Sequence, residues 1–203
     1  MPKKALTVVT SVFISLILLL CSGCDFSTTV ISDTESPDLV LTRFLDALKE
    51  KDYNKADSYL ANYSTIKPTN NTDYAFMDTL ADVSLNSLNY QLIGTPSYDG
   101  VNAVTKVCIH SLDKQEMISW VADNLNSIAN NYMKENGLNT LNLEDHEVLS
   151  KVLEKAILLY AAEGKTVENT IEVRFIFTDN QWKITGNNDL VTSIFGGSVN
   201  EEK

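Results

Sequence analysis

The chain has 203 residues and a formal charge of −11, with 16 basic against 27 acidic side chains. Such a balance excludes the usual basis of nucleic-acid binding, which is clustered Lys and Arg on phosphate. It also disfavours a domain lying flat on anionic lipid. At this length one domain is expected, with some chain to spare outside it.

The spare chain comes first. Met1 to Cys24 reads MPKKALTVVTSVFISLILLLCSGC: Lys3 and Lys4 precede any acid, an apolar run follows from Ala5 to Leu20, and Cys21-Ser22-Gly23-Cys24 closes it. A basic head, a short apolar centre and small residues at the exit are the parts of an export signal. A spanning helix would need roughly 20 apolar residues, whereas this run is shorter and broken by Thr7, Thr10, Ser11 and Ser15.

With Ser22 and Gly23 just before Cys24, the stretch resembles the lipobox of bacterial lipoproteins. The resemblance implies that residues 1–23 are removed and that Cys24 becomes the first residue, carrying a diacylglyceryl thioether. The departure is Cys21, where the pattern usually has Leu; the Leu18-Leu19-Leu20 run lies one residue further out. Two acyl chains give stable anchoring where one gives only marginal binding. The expected location is therefore the cell membrane, lipid-anchored at Cys24 and facing outside the cytoplasm. Of three cysteines, only Cys108 then remains as a thiol. Alone on an alternating strand, it reads as a small buried residue.

Residues 24–35 are polar and without period, which predicts a flexible tether. Ser36-Pro37-Asp38 starts a helix: a capping Ser, Pro at the first turn and an acid near the positive end of the dipole. Val40, Phe44, Leu45 and Leu48 continue it to Lys49, and Asp52 caps a shorter helix through Ala56, Tyr59, Leu60 and Tyr63. Ser64 to Thr72 is loop-like, and Asp73 is placed to cap a third helix through Phe76, Met77, Leu80, Val83 and Leu88.

Asn89 to Leu112 alternates and contains Asp99-Gly100, a two-residue turn signal. A turn there pairs Leu92 with Val107 and Tyr90 with Ile109, and leaves Gln91, Lys106, Cys108 and His110 on the opposite face. Asp113 opens a long helix through Met117, Ile118, Val121, Leu125, Ile128 and Tyr132, stopped at Gly137. A second runs from about Glu144 to Ala162, with Val148, Leu149, Val152, Leu153, Ala156, Ile157 and Tyr160 inward and Gly164 at its end. Lys165 to Gly186 is a further hairpin turning at Asp179-Asn180, which pairs Phe177 with Trp182 and Phe175 with Ile184; Ile171 and Val173 continue that face, and Glu168, Thr170, Glu172 and Arg174 alternate outward. Asn187-Asn188-Asp189 begins a last short helix through Leu190, Val191, Ile194 and Phe195, and residues 197–203 read as a polar, disordered tail.

The run VLTRFLDALKEKDYNKADSYL, Val40 to Leu60, together with Gln181-Trp182-Lys183-Ile184, resembles the opening helical hairpin and closing W-x-I strand of exported domains of the NTF2-like superfamily. The resemblance implies an α+β fold over residues 36–196: a helical hairpin packed on a curved four-stranded antiparallel sheet. Residues 113–164 are a helical insert that this superfamily's minimal plan lacks, expected as a cap over the sheet.

No phosphate loop and no Cys/His spacing typical of metal sites is present. The acidic run Glu144-Asp145-His146-Glu147 is explained as a helix start, so the expectation is no metal, no cofactor and no catalytic residue. Some NTF2-like cavities perform acid/base chemistry, for which His110, Lys106 and Arg174 are the strand candidates here. Their placement opposite the apolar face favours solvated side chains. The functional expectation is a non-enzymatic binding or accessory module, with a protein, small-molecule or cell-wall ligand and no nucleic acid. The alternatives are a cavity enzyme using His110 and a surface scaffold without a ligand.

Overall fold

The computed structural model describes residues 34–61 and 75–199. The export signal, Cys24, Tyr63, the Ser64–Thr72 loop, Asp73 and the last four residues lie outside them. No helix among the described residues is long and apolar enough to cross a membrane.

Helix α1 (Pro37–Lys49) starts where the capping pattern puts it, with the Ser36 hydroxyl accepting from the Leu39 N–H. Its apolar stripe of Val40, Leu41, Phe44, Leu45 and Leu48 is almost wholly removed from water. Each such side chain contributes about 1.5–3 kcal/mol on burial. Asp52 caps α2 (Tyr53–Asp57) by accepting from the Lys55 N–H at 3.0 Å.

Helix α2 stops at Asp57, short of the expected run to Tyr63. Beyond it, Ile184 donates to the Tyr59 carbonyl and Ala61 donates to the Ile184 carbonyl, both at 2.8 Å, so Leu60 lies parallel to the last strand. Pairing with an otherwise open strand edge outweighs a further helical turn, because unpaired backbone groups at such an edge are costly to bury.

The sheet is an antiparallel meander in the order β1 (Asn89–Asp99), β2 (Asn102–Leu112), β3 (Thr166–Thr178), β4 (Gln181–Ile184). Leu92 faces Val107 and Tyr90 faces Ile109, as the alternation predicts. The turn is nevertheless one residue later than expected: Asp99 pairs with Asn102, leaving Gly100 and Val101 as the loop. Gly100 has φ +60, and a glycine with positive φ at the first loop position suits a two-residue hairpin. A bulge between Ile93 and Ser97, containing Gly94 and Pro96, restores the register further along. The β3–β4 turn has φ 51 at Asp179 and 59 at Asn180, the two positive values of a type I′ loop.

Leu92, Val107, Ile109, Val173 and Phe175 face α1, where the Tyr90 hydroxyl donates to Asp46 at 2.7 Å and the Thr105 hydroxyl donates to Asp38 at 2.7 Å. Trp182 and Ile184 complete this core.

Helix α3 (Ala75–Ser87) carries Leu85 into the main core, with Leu88 just beyond it, while Met77, expected inward, is exposed. Helices α4 (Lys114–Glu135) and α5 (His146–Ala162) form the insert. Rather than capping the sheet, they stack on α3: Phe76, Leu80 and Val83 pack with Met117, Trp120, Ile157 and Tyr160, and with Leu112 at the end of β2. A second small core joins Ile128, Ala129, Val152 and Ala156. The physical reason is that the outer sheet face is polar and gives these apolar residues nothing to bury against. Ile118 points outward, and Ala129 takes the inward place its spacing left open.

Helix α6 (Asn188–Ile194) is capped by Asn187 and buries Leu190 and Ile194 against the sheet. The described chain after it, expected as a free tail, instead folds back onto Asn169 through Gly197 and Val199. The Asn169 amide donates to the Gly197 carbonyl at 2.8 Å and its oxygen accepts from the Val199 N–H at 3.0 Å. A buried asparagine needs such partners, and the tail supplies them.

Candidate functional site

The face of the sheet turned away from α1 is where chemistry-bearing side chains collect. Strand alternation puts Lys106, Cys108 and His110 of β2 on this face, and Glu168, Thr170, Glu172 and Arg174 of β3 alongside them. The β2–β3 register sets His110 opposite Glu168, Cys108 opposite Thr170, and Lys106 opposite Glu172. Lys106 and Glu172 form an exposed ion pair at 3.3 Å, of a kind worth under about 1 kcal/mol.

The Cys108 Sγ lies 3.5 Å from His110 Nε2, and His110 Nδ1 lies 3.7 Å from a Glu168 carboxylate oxygen. Cys108 is buried, the imidazole is 39% exposed and the Glu168 side chain 62% exposed. Burial pushes the Cys108 thiol up from its ordinary range, and its hydrogen bond to the negative Glu168 carboxylate pushes it the same way; a bond from Thr170 opposes them. A thiol shifted upward stays protonated near neutrality, which is the wrong direction for a thiolate nucleophile.

Two clefts flank the trio. One, of about 860 Å³, runs beside β3 between Lys106, Glu168, Glu172 and Arg174 on the sheet and Asn187 to Asp189 at the start of α6. The other, of about 430 Å³, lies between Ser87, Asn89, Gln91, His110 and Thr166. Glu168 borders the first and His110 the second. Both are open, and the larger is lined mainly by polar and charged side chains, which suits a ligand held by hydrogen bonds and charge rather than by apolar burial.

The sequence places His110, Lys106 and Arg174 on the polar face, and the structure puts them there. It adds Glu168, which the strand pairing sets directly across from His110. The signal for it was the β2–β3 pairing, which no turn residue records because the helical insert separates the strands. His146 is elsewhere, exposed at the start of α5, where Asp145 accepts from the backbone of Glu147 and Val148 and Glu147 pairs with Lys151.

No protein-family model matches the chain, and no curated protein matches it. Among solved structures it is similar to ycdA, a candidate lipoprotein from Bacillus subtilis, at 14% identity and a TM-score of 0.41. The alignment covers 81% of this chain and 47% of that one, so the chain spans about half the length of that protein. At that distance the likeness decides neither fold nor function.

Proposed function

We propose that this is an exported lipoprotein, anchored through Cys24 on the outer side of the cell membrane, whose NTF2-like domain acts as a non-enzymatic binding module. The anchor rests on the basic head, apolar run and Ser-Gly-Cys exit of the first 24 residues. The NTF2-like plan is supported by α1 and α2 packing across an antiparallel sheet whose last strand buries Trp182 and Ile184 beside them; the stacked helical insert departs from it.

The observation that carries binding over cavity chemistry is the filling of the space between helices and sheet. Leu41, Leu45, Val107, Ile109 and Val173 meet there, each fully excluded from solvent, and His110 stands on the other side. A ligand would instead meet the open polar face and its clefts, through Lys106, Arg174, Glu168 and Glu172. Its chemistry would be polar and mixed in charge, as in a peptide or a cell-wall fragment.

Growing cells fed labelled palmitate test the anchored reading. Label enters the wild-type chain and not Cys24→Ser, and the variant is shed from the membrane fraction. Retention of Cys24→Ser at the wild-type level would overturn it.

A further inference from the structure

Cys108, His110 and Glu168 each offer one ligand atom within 4.8 Å of the other two. We propose that these three side chains bind a transition-metal dication of borderline softness, zinc foremost, with a fourth position open to solvent. The inference does not depend on the lipid anchor.

The spacing fits. For a tetrahedral ion with metal–sulfur bonds of about 2.3 Å and metal–nitrogen bonds of about 2.0–2.1 Å, sulfur and nitrogen stand about 3.6 Å apart. Sγ and Nε2 are 3.5 Å apart before any ion pulls on them. The carboxylate lies toward the other ring nitrogen, 3.7 Å from Nδ1, and a turn of its mostly exposed side chain brings one oxygen to the ion. Nδ1–H is then left to donate to solvent.

Strand geometry makes the arrangement rigid where it must be. Cys108 and His110 are two apart and share a face, and Glu168 is directly across from His110. Strand β2 is hydrogen-bonded on both sides, by β1 and by β3, so two of the three ligands hang from a fixed backbone. Charge also balances: the thiol proton leaves to water, and thiolate plus carboxylate cancel the two positive charges while neutral imidazole adds none. One sulfur, one nitrogen and one oxygen suit zinc and not magnesium or calcium, which take oxygen ligands.

A purely structural cysteine would be expected on the α1 side, among Val107 and Ile109. Cys108 is instead on the polar face, in contact with an imidazole and a carboxylate. The competing acidic cluster at the start of α5 lacks this convergence, because Asp145 is engaged in capping and Glu147 in an ion pair.

The test is titration of the full, reduced, metal-free chain with Co2+ alone, followed by Zn2+. One equivalent of Co2+ should produce a thiolate-to-cobalt charge-transfer band in the near ultraviolet, and one equivalent of Zn2+ should bleach it. Cys108→Ser should abolish the band; Glu168→Gln, at an exposed position where misfolding is not at issue, should weaken Zn2+ binding by about tenfold or more. Zn2+ should raise the Tm of the wild-type chain and leave that of Cys108→Ser unmoved, while His146→Ala titrates like wild type. Absence of the band, binding indifferent to Glu168→Gln, or loss of binding in His146→Ala would each overturn the assignment.

Discussion

Gly196→Ala should detach the C-terminal strap and cost far more than a surface glycine substitution. Gly196 has φ +76, and a Cβ built there would fall 1.9 Å from the Leu112 carbonyl oxygen. That oxygen belongs to the last residue of a central strand and cannot swing aside, so the strap itself must lift. Four hydrogen bonds go with it: Lys114 N–H to Gly196, Gly197 N–H to Thr192, and the pair Asn169 makes with Gly197 and Val199. Each is worth about 0.5–1.5 kcal/mol net, and the left-handed backbone adds about 1–2 kcal/mol for alanine. Because the freed groups reach water, the lower part of that sum applies, about 3–4 kcal/mol. For a domain of this size this lowers Tm by about 5–15 °C. Urea denaturation followed by circular dichroism reads the loss, with Gly186→Ala as control: Gly186 has open space around its Cβ position and no positive φ. A Gly196→Ala cost below about 0.5 kcal/mol, indistinguishable from the control, would refute the strap.

The Tyr160 hydroxyl is buried without a partner among the described residues, so Tyr160→Phe should stabilise the chain by about 1 kcal/mol; a lower urea midpoint would contradict this. Burial pushes the Tyr90 and Tyr160 hydroxyls up to about 12 from the ordinary 10, with the bond to Asp46 adding to the effect at Tyr90. The folded state therefore keeps protons that the unfolded chain gives up, and their contribution, complete below pH 10, is lost as pH rises toward 12. Urea midpoints across that window should fall less steeply in Tyr90→Phe/Tyr160→Phe than in wild type, and parallel curves would sink the point. Asn180→Gly should raise stability by about 0.5 kcal/mol, because glycine adopts the φ of 59 without strain; a loss measured by thermal melting would contradict the turn assignment. Lys106→Gln should change the urea midpoint by no more than about 0.5 kcal/mol, since its ion pair with Glu172 is solvated.

The α1 helix was legible almost to the residue because cap, first-turn proline and apolar period agree at Ser36 to Lys49. The first hairpin shows how a local signal misleads without spoiling the result. Asp99-Gly100 is a strong turn pair, yet glycine is placed first in the loop at Gly100, and the bulge around Gly94 and Pro96 absorbs the shift so that Leu92 still meets Val107. The position of the insert was not legible, because a helical stripe says that it must be buried but not against what. Only the polar alternation of Glu168, Thr170, Glu172 and Arg174 hinted that the outer sheet face would refuse it. The polar residues past Gly196 give no sign of docking, yet Asn169, buried and needing two partners, holds Gly197 and Val199.

The polar site was half legible. Cys108 and His110 show their shared face by being two apart, whereas Glu168 joins them through strand pairing across the whole insert, a long-range register that neither turn chemistry nor periodicity encodes.

The most direct test of the anchored module is mass spectrometry of the N-terminal peptide from protein extracted from native membranes. The account predicts a peptide beginning at Cys24 and carrying a diacylglyceryl group on its sulfur. A peptide containing residues before Cys24, or one beginning there with a free thiol, would contradict it.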